Sequence, residues 1–252
     1  MLGFLKPKLP ITQDRQEWVD SSFVRLGGIL GAHRLLEAKV ALPTPEHFLD
    51  TYDGSEKALH RMFRRIAIAM QVNPSEIEIT VYPSDGLARN LLPFYSMNTS
   101  EAAGLYFHDP ANAAHVSINE SQLKEPMGLV ATLAHELGHV ILLRPGLVNP
   151  DEPDMEPLND LLTVFLGFGV FTANSAFRFE QHATDTTQGW STRRLGYLSE
   201  ELFGYALARF ALERGEVKPG WASFLSANIA HYFKKSAAWL DSNRVPRLFG
   251  DR

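Results

Sequence analysis

The sequence predicts an α+β fold, with a small mixed or antiparallel sheet beside helices and a helical C-terminal lobe. Short segments between residues 76 and 119 alternate polar and apolar side chains, as half-buried strands do. Longer segments on both sides of them carry apolar residues at helical spacing. We therefore expect residues 1–145 to form an α/β lobe and residues 146–252 a helical lobe, which work as one unit with a cleft between them.

Two helices and three strands are predicted in the N-terminal half. Helical spacing runs from Trp18 to about Val40 and ends at LPTPEHF, whose two prolines indicate an extended connection. A second helix is expected from Ser55 to Gln71, between the turn-forming YDGS and the loop VNPSE. The expected strands are EIEITVYPS, AGLYFHD and AHVSIN, of which the last two are separated by the turn signal DPAN.

Four further helices are predicted after the strands. The first begins near Pro126, which a first turn tolerates, and ends before Pro145. A loop rich in proline and acidic residues leads to a second long helix from Met155 to about Ala173. This helix contains Gly167 and Gly169. A GxG sequence that does not follow a strand is only a weak signal for a nucleotide-binding loop, so we expect the two glycines to permit close packing of helices. The last two helices are expected over 198–214 and 220–240.

Composition and charge exclude several classes of protein. With 45% hydrophobic and 21% charged residues, the 252-residue chain has the composition of a folded protein with a sizeable core. Its formal net charge of -5 provides no electrostatic footprint for nucleic acid or an anionic membrane. The absence of cysteine excludes disulfides, cysteine nucleophiles and cysteine metal ligands.

The lengths of the apolar stretches predict where the protein is located and which partners it lacks. No apolar stretch of signal-peptide length precedes Pro10, and no later run reaches the roughly 18 apolar residues of a membrane span. We therefore expect a cytoplasmic protein that binds neither nucleic acid nor membrane. The sequence does not predict an oligomeric state.

The segment LVATLAHELGHVILL, residues 129–143, contains two histidines in an otherwise apolar predicted helix. His135 and His139 are four residues apart, so both imidazoles project from one face and can bind one metal ion. Glu136 lies about 100° around the helix, where it can reach a water molecule in the ion's open position. Burying these side chains costs free energy unless something pairs them, which a metal ion does. The alternative is two hydrogen-bonded core histidines with Glu136 on the surface.

A third ligand has to be His, Asp or Glu, and the segment EPLND offers two carboxylates. Glu156 and Asp160 lie one helical turn apart on one face, so one can bind the ion while the other accepts the spare N–H of a ligating imidazole. Acidic residues near a helix N-terminus are also favourable without a metal, which is the alternative interpretation. Pro157 requires Glu156 to stand in the first turn of its helix, with Asp154 or Asp151 as the substitute ligand if that geometry fails.

The spacing of HELGH and EPLND resembles that of the gluzincins, the class of zinc metallopeptidases that includes the thermolysin-like enzymes. The resemblance covers roughly residues 76–173. The metzincin pattern is excluded because Leu142 and Pro145 stand where its glycine and third histidine belong. The resemblance implies a zincin-like fold that binds one zinc ion. The residues it assigns are the ligands His135, His139 and Glu156, the general base Glu136 and the supporting Asp160.

The resemblance also implies a substrate and a place for it. A peptide or protein is the expected substrate, and the strand AHVSIN is expected at a sheet edge beside the cleft, where an extended peptide can be added to the sheet. Such enzymes use a Tyr or His to hydrogen-bond the oxyanion, and three candidates stay open, His182, Tyr197 and Tyr205. His108 and His115, which flank the DPAN turn, are expected to be surface residues.

Two other functions use the same residues. A non-catalytic binding or regulatory protein could keep the zinc and its helix pair as a structural staple, which a fourth protein ligand would indicate. Zinc-dependent hydrolysis of a non-peptide amide is the other. The sequence offers no obvious fourth ligand, and a structural site has no need of Glu136. We therefore expect a zinc metallopeptidase, with its cleavage specificity left open.

Overall fold

The computed structural model describes residues 7–48, 51–83, 103–108, 113–184 and 198–250. Over these residues the fold is α+β, with eight α-helices and one three-stranded mixed sheet, so the predicted class is confirmed. A zincin-like arrangement stays a prediction. The helices are α1 (Gln13–Leu30), α2 (His33–Leu36), α3 (Glu56–Ala69), α4 (Pro126–Leu143), α5 (Met155–Phe165), α6 (Gly169–Thr184), α7 (Glu200–Glu213) and α8 (Ala227–Ser242). The strands are β1 (Ile77–Tyr82), β2 (Gly104–His108) and β3 (Ala114–Asn119).

The chain divides into two compact units. The α/β unit consists of Pro43–Asn159 and Arg178–Gly196. The helical unit consists of Met1–Leu42, Asp160–Phe177 and Tyr197–Arg252. This division differs from the one expected after residue 145, because α1 and α2 belong with the C-terminal helices and the boundary falls within α5. A cleft between lobes stays a prediction.

The sheet of the α/β unit has the strand order β1-β3-β2, with β1 parallel and β2 antiparallel to β3. All three predicted strands are therefore found. The expected position of AHVSIN at a sheet edge is wrong, because this segment forms β3, the central strand. Five of its six residues are buried, as in a strand covered on both faces, whereas β1 alternates buried and exposed residues. The strand that packs most closely against α4 is β2.

Helix α4 is the core helix of the α/β unit and packs against α3 and β2. Among the described residues it is the one helix long and apolar enough to cross a membrane, and 78% of its residues are buried inside the protein. This corrects the expectation that no run reaches that length. Its only charged residue is Glu136. A core helix that is buried on all sides has the same composition.

Two segments that were each predicted as one helix are divided by a glycine with positive φ. Gly31, at φ 88°, ends α1 before α2, and Gly167, at φ 89°, separates α5 from α6. A Cβ at Gly167 would lie 2.6 Å from the carbonyl oxygen of Lys39, and the Gly167 carbonyl accepts the N–H of Ala41 at 2.9 Å. Gly167 thus ends a helix and permits a close backbone approach within the helical unit.

The helical unit contains a buried ion pair on α7. Arg209 and Glu213 are four residues apart, and Arg209 Nε lies 3.0 Å from Glu213 Oε1. The Glu213 carboxylate also accepts the backbone N–H groups of Leu248 and Phe249, at 2.9 and 3.2 Å. Arg209 Nη2 donates to the carbonyl of Pro246 at 2.9 Å. The pair therefore holds the segment that follows α8.

Candidate metal centre

His135 and His139 lie one turn apart on α4, as the sequence predicts. Both residues are buried. Their Nε2 atoms are 3.1 Å apart and their rings are nearly perpendicular, at 84°. The edges of the two rings that carry Nε2 therefore converge on one point.

Glu156 brings a third donor atom to that point. Helix α5 begins at Met155, so Glu156 stands in the first turn, where the following Pro157 is tolerated. Its Oε2 lies 3.1 Å from His135 Nε2 and 3.6 Å from His139 Nε2. The Glu156 side chain is 41% exposed, so solvent reaches the group from this side.

His135, His139 and Glu156 form a group that could hold a metal ion, with donor atoms all within 4.8 Å of one another. In a tetrahedral zinc site, ligands about 2.0–2.1 Å from the ion are about 3.3–3.4 Å apart. The three separations here, 3.1, 3.1 and 3.6 Å, lie on both sides of that value. A metal ion fits the group, and nitrogen and oxygen donors suit zinc among several divalent ions.

The protonation states of the group also suit a metal ion. Burial lowers the pKa of His139 to about 4, although Glu156 opposes the shift. Burial alone would raise the pKa of Glu156, but the hydrogen bond with His135 and the nearby imidazoles outweigh it and lower the pKa to about 2. At neutral pH the imidazole of His139 is therefore neutral and the carboxyl of Glu156 ionised, which are the forms that bind metal.

Glu136 lies beside the three donors without belonging to their group. Burial raises its pKa to about 7, with His135 opposing the shift and Glu156 adding to it. The carboxylate packs against the first residue of β2, because a Cβ at Gly104 would lie 2.9 Å from Glu136 Oε1. Glycine at this position leaves room for the carboxylate. A buried carboxyl with a pKa near neutrality can both accept and return a proton.

Strand β2 also covers the second histidine. The Tyr106 ring is stacked nearly parallel to the His139 ring, with centroids 6.0 Å apart and an interplanar angle of 10°. The Nδ1 atom of His139 is buried and has no hydrogen-bond partner in the part of the chain that the structure describes. Packing against Tyr106 of β2 therefore holds the orientation of the His139 ring.

The predicted supporting residue, Asp160, belongs to the helical unit. It is buried, and its Oδ2 accepts the backbone N–H of Leu198 at 2.8 Å. Its expected role as acceptor for a ligating imidazole stays a prediction. The substitute ligands Asp151 and Asp154 do not belong to the donor group, which takes Glu156 as its carboxylate.

The other candidate residues have different positions. The hydroxyl of Tyr205 donates to Asp20 at 3.0 Å within the helical unit. His115, expected on the surface, is half-buried, with its ring stacked on Phe107 and its Nδ1 3.2 Å from Glu78 Oε2. Tyr197 and the side chains of His182 and His108 lie outside the described residues.

Sequence reasoning missed Asn159, which lies between the two acidic residues of EPLND. Asn159 is completely buried, and its Nδ2 donates to the carbonyl of His135 at 2.9 Å. The same side chain packs against Gly138 of α4. An amide inside an apolar helix was the available signal, since a buried amide needs a partner.

Comparisons with known proteins give no match. No protein-family model, no curated protein and no solved structure is similar to the chain. The resemblance to the gluzincins therefore rests on the spacing of HELGH and EPLND alone. What the structure adds is the buried His-His-Glu group that could hold a metal ion.

Proposed function

We propose that the protein is a zinc-dependent hydrolase, and more specifically a metallopeptidase of the gluzincin type. The observation that carries the proposal is the convergence of His135 Nε2, His139 Nε2 and Glu156 Oε2 beside a buried Glu136. Within the described residues, no fourth His, Asp or Glu joins the three donors. Three protein ligands leave a position free for water, which is typical of catalytic rather than structural zinc sites.

Glu136 is the residue suited to move the proton. Zinc held by His135, His139 and Glu156 would supply a Lewis acid for the scissile carbonyl and would lower the pKa of the attacking water. Glu136 would accept a proton from that water and return it to the leaving amine. A pKa raised to about 7 supports both steps, because the ionised form that accepts the proton and the protonated form that returns it are then both populated at neutral pH.

An extended peptide is the proposed substrate. In the described part of the sheet β2 pairs with β3 on one side, and the peptide is proposed to be added at its other edge. The same strand touches the site twice, through Gly104 at Glu136 and through Tyr106 at His139. A peptide added to this edge would run beside the three donors. A non-peptide amide would be hydrolysed by the same residues but would not pair with the edge of β2.

Elemental analysis of the purified protein tests the metal site first. We expect about one zinc per chain in the wild type and its loss in Glu156→Ala, because two imidazoles alone hold zinc weakly. Asp151→Ala is the matched control, since it removes an exposed carboxylate from the same acidic loop. Zinc loss in Asp151→Ala but not in Glu156→Ala would identify Asp151 as the third ligand. A wild type that stays metal-free after zinc is supplied would contradict the whole proposal.

Glu136→Gln then separates catalysis from metal binding. The change keeps the shape of the side chain and removes its basicity, so we expect zinc to stay near stoichiometric while peptide hydrolysis falls about 10²- to 10⁴-fold. Cleavage of a peptide library, followed by mass spectrometry, is the measurement. Loss of zinc in Glu136→Gln would make this residue a ligand. A wild type that binds zinc but cleaves no peptide favours the non-catalytic binding protein or the amide hydrolase.

A further inference from the structure

Asn159 connects the helix of the third donor to the backbone of the first. It lies on α5 three residues after Glu156, with none of its surface exposed. Its Nδ2 donates to the carbonyl oxygen of His135 at 2.9 Å. That carbonyl lies within α4, where the helix itself supplies a donor from the residue four positions later. The bond from Asn159 is therefore not needed to complete α4, and its effect is to tie α5 to the turn that carries both histidines.

Gly138 makes the second half of this connection. A Cβ at Gly138 would overlap the Asn159 side-chain oxygen, so the two helices approach at a distance that only glycine allows. Within the described part of the chain, Asn159 Oδ1 has no hydrogen-bond donor, and it faces the Cα of Gly138. Leaving a buried carbonyl oxygen without a strong donor costs stability. An apolar residue at 159 would avoid that cost, so stability of the helix pair alone does not explain an asparagine here.

The two contacts determine where Glu156 stands. Residues three apart on a helix lie on neighbouring positions of one face, so Glu156 and Asn159 both point toward α4. Asn159 reaches α4 at His135 and at Gly138, which flank one turn of that helix. Contact at two points along α4 limits both the sliding and the rotation of α5. The Oε2 atom of Glu156 is then held between the two Nε2 atoms, at 3.1 and 3.6 Å.

We propose that Asn159 and Gly138 form a positioning clamp that sets the distance between Glu156 and the two histidines and thereby the affinity of the site for zinc. This inference rests on the proposed metal site. The clamp residues touch neither substrate nor metal, so their effect passes through Glu156.

Zinc affinity of the full-length chain, measured by competition with a chelator, tests the clamp. We expect Asn159→Ala to weaken zinc binding about 10- to 100-fold, the range typical of residues that orient a ligand. The matched control is Thr163→Ala, one turn further along α5. Thr163 is also fully buried, but within the described residues its hydroxyl bonds to the Asp160 carbonyl and to Thr172 rather than to α4. We expect both variants to lower the unfolding temperature of the zinc-free protein and only Asn159→Ala to lower zinc affinity by more than about twofold.

A second pair of variants probes the glycine. We expect Gly138→Ala to weaken zinc binding as Asn159→Ala does, although alanine is the better helix former. Gly128→Ala is the matched control on the same helix, because its nearest neighbour would lie 3.5 Å from the new Cβ. We expect Gly128→Ala to bind zinc as the wild type does. Equal zinc affinities in the wild type, Gly138→Ala and Gly128→Ala would overturn the role of Gly138.

A double-mutant cycle separates positioning from a general loss of structure. In the Glu156→Ala background the two imidazoles keep only weak zinc binding, and Asn159→Ala should not weaken this residual affinity further, because the ligand through which it acts is gone. Cobalt substituted for zinc gives a second reading, since its visible spectrum depends on the ligand set. At saturating cobalt, we expect Asn159→Ala and Glu156→Ala to change that spectrum in the same direction and Thr163→Ala to leave it unchanged.

The outcomes separate the clamp from the proposed function. Wild-type affinity in Asn159→Ala, or an equally large loss in the Glu156→Ala background, would overturn the clamp while leaving the metal site in place. A wild type that binds no zinc would overturn both. If the wild type binds zinc and Asn159→Ala weakens that binding as expected, but the wild type hydrolyses nothing, only the hydrolase function would be overturned.

Discussion

Two helices of this protein each carry a pair of polar residues, four apart, on a buried face. On α7 of the helical unit the pair is Arg209 and Glu213, and on α4 of the α/β unit it is His135 and His139. The pair on α7 contains both signs of charge, and the Glu213 carboxylate also accepts two backbone N–H groups. The pair on α4 is completed by a further acid, Glu156.

The two clusters differ in whether they contain their own cation. The guanidinium of Arg209 is always charged, so the α7 cluster is complete within the chain. Around α4, the imidazole of His139 is held neutral and the carboxyl of Glu156 is held ionised, which leaves an excess of lone pairs. A buried polar cluster that lacks a cation can bind one as a ligand. A cluster that contains both charges contributes to the stability of the fold instead.

Removing one charge from the α7 pair should give the largest effect on folding. Glu213 is fully buried, so Glu213→Ala removes the carboxylate nearer to Arg209 and leaves, within the described residues, only Asp20, whose Oδ1 lies 3.6 Å from Arg209 Nε. We expect a loss of about 3–5 kcal/mol in the free energy of unfolding, with or without zinc. Chemical denaturation followed by circular dichroism measures this loss. A loss below about 1 kcal/mol would show that the two clusters do not differ in the way proposed.

Zinc should stabilise the protein through the α4 cluster by a similar amount. At a free zinc concentration about 1000 times Kd, we expect the free energy of unfolding to rise by about 4 kcal/mol. His139→Ala should abolish this increase, because it removes one of three donors. His115→Ala serves as the control histidine, and it should keep the increase. A zinc-dependent increase that persists in His139→Ala would place the ion elsewhere.

Asp160→Asn should have a smaller effect, restricted to metal affinity. Asparagine keeps an oxygen that can accept the Leu198 N–H, so the change removes the charge and spares this bond. We expect zinc binding to weaken about 10- to 100-fold if Asp160 orients a ligating histidine. The measurement is chelator competition, as for Asn159. Unchanged affinity would remove Asp160 from the site and leave it a residue of the helical unit.

Gly104→Ala should give the smallest effect, and on catalysis alone. The new Cβ would lie 2.6 Å from Thr132 Cγ2 and 2.9 Å from Glu136 Oε1, so the carboxylate has to move. We expect kcat/KM for peptide hydrolysis to fall about tenfold while zinc affinity stays unchanged. Gly220→Ala, which meets no atom within 4 Å, is the control. Loss of zinc in Gly104→Ala would mean that β2 supports the ligands as well as the base.

The sequence was sufficient for the parts of the site that depend on one helix. Four-residue spacing brings His135 and His139 together on any α-helix, and Pro157 restricts Glu156 to a first turn. The pairing of the two helices was inferred from residue types, and the structure brings the three donors within 4.8 Å. The assignment of the ion as zinc and of the reaction as hydrolysis stays a prediction.

The parts that depend on tertiary contacts were not predictable. Asn159 and Gly138 contact each other because two helices approach. The amide inside an apolar helix indicates that Asn159 needs a partner, but not that the partner lies on α4. The central position of β3 follows from its pairing on both sides, which the pattern of one strand does not encode. Gly167 ends a helix because of a left-handed backbone, whereas the apolar pattern continues through it.

The donors of the site are also close together in the chain. His135 and Glu156 are 21 residues apart, and α5 is the next helix after α4 along the chain. Few residues have to be ordered before a metal ion can join them, so the loss of chain entropy on closing this loop is small. A metal ion could then bind the helix pair before the rest of the chain is ordered, and the unfolded chain would retain some affinity through its two histidines. Excess zinc would consequently speed folding more than it slows unfolding.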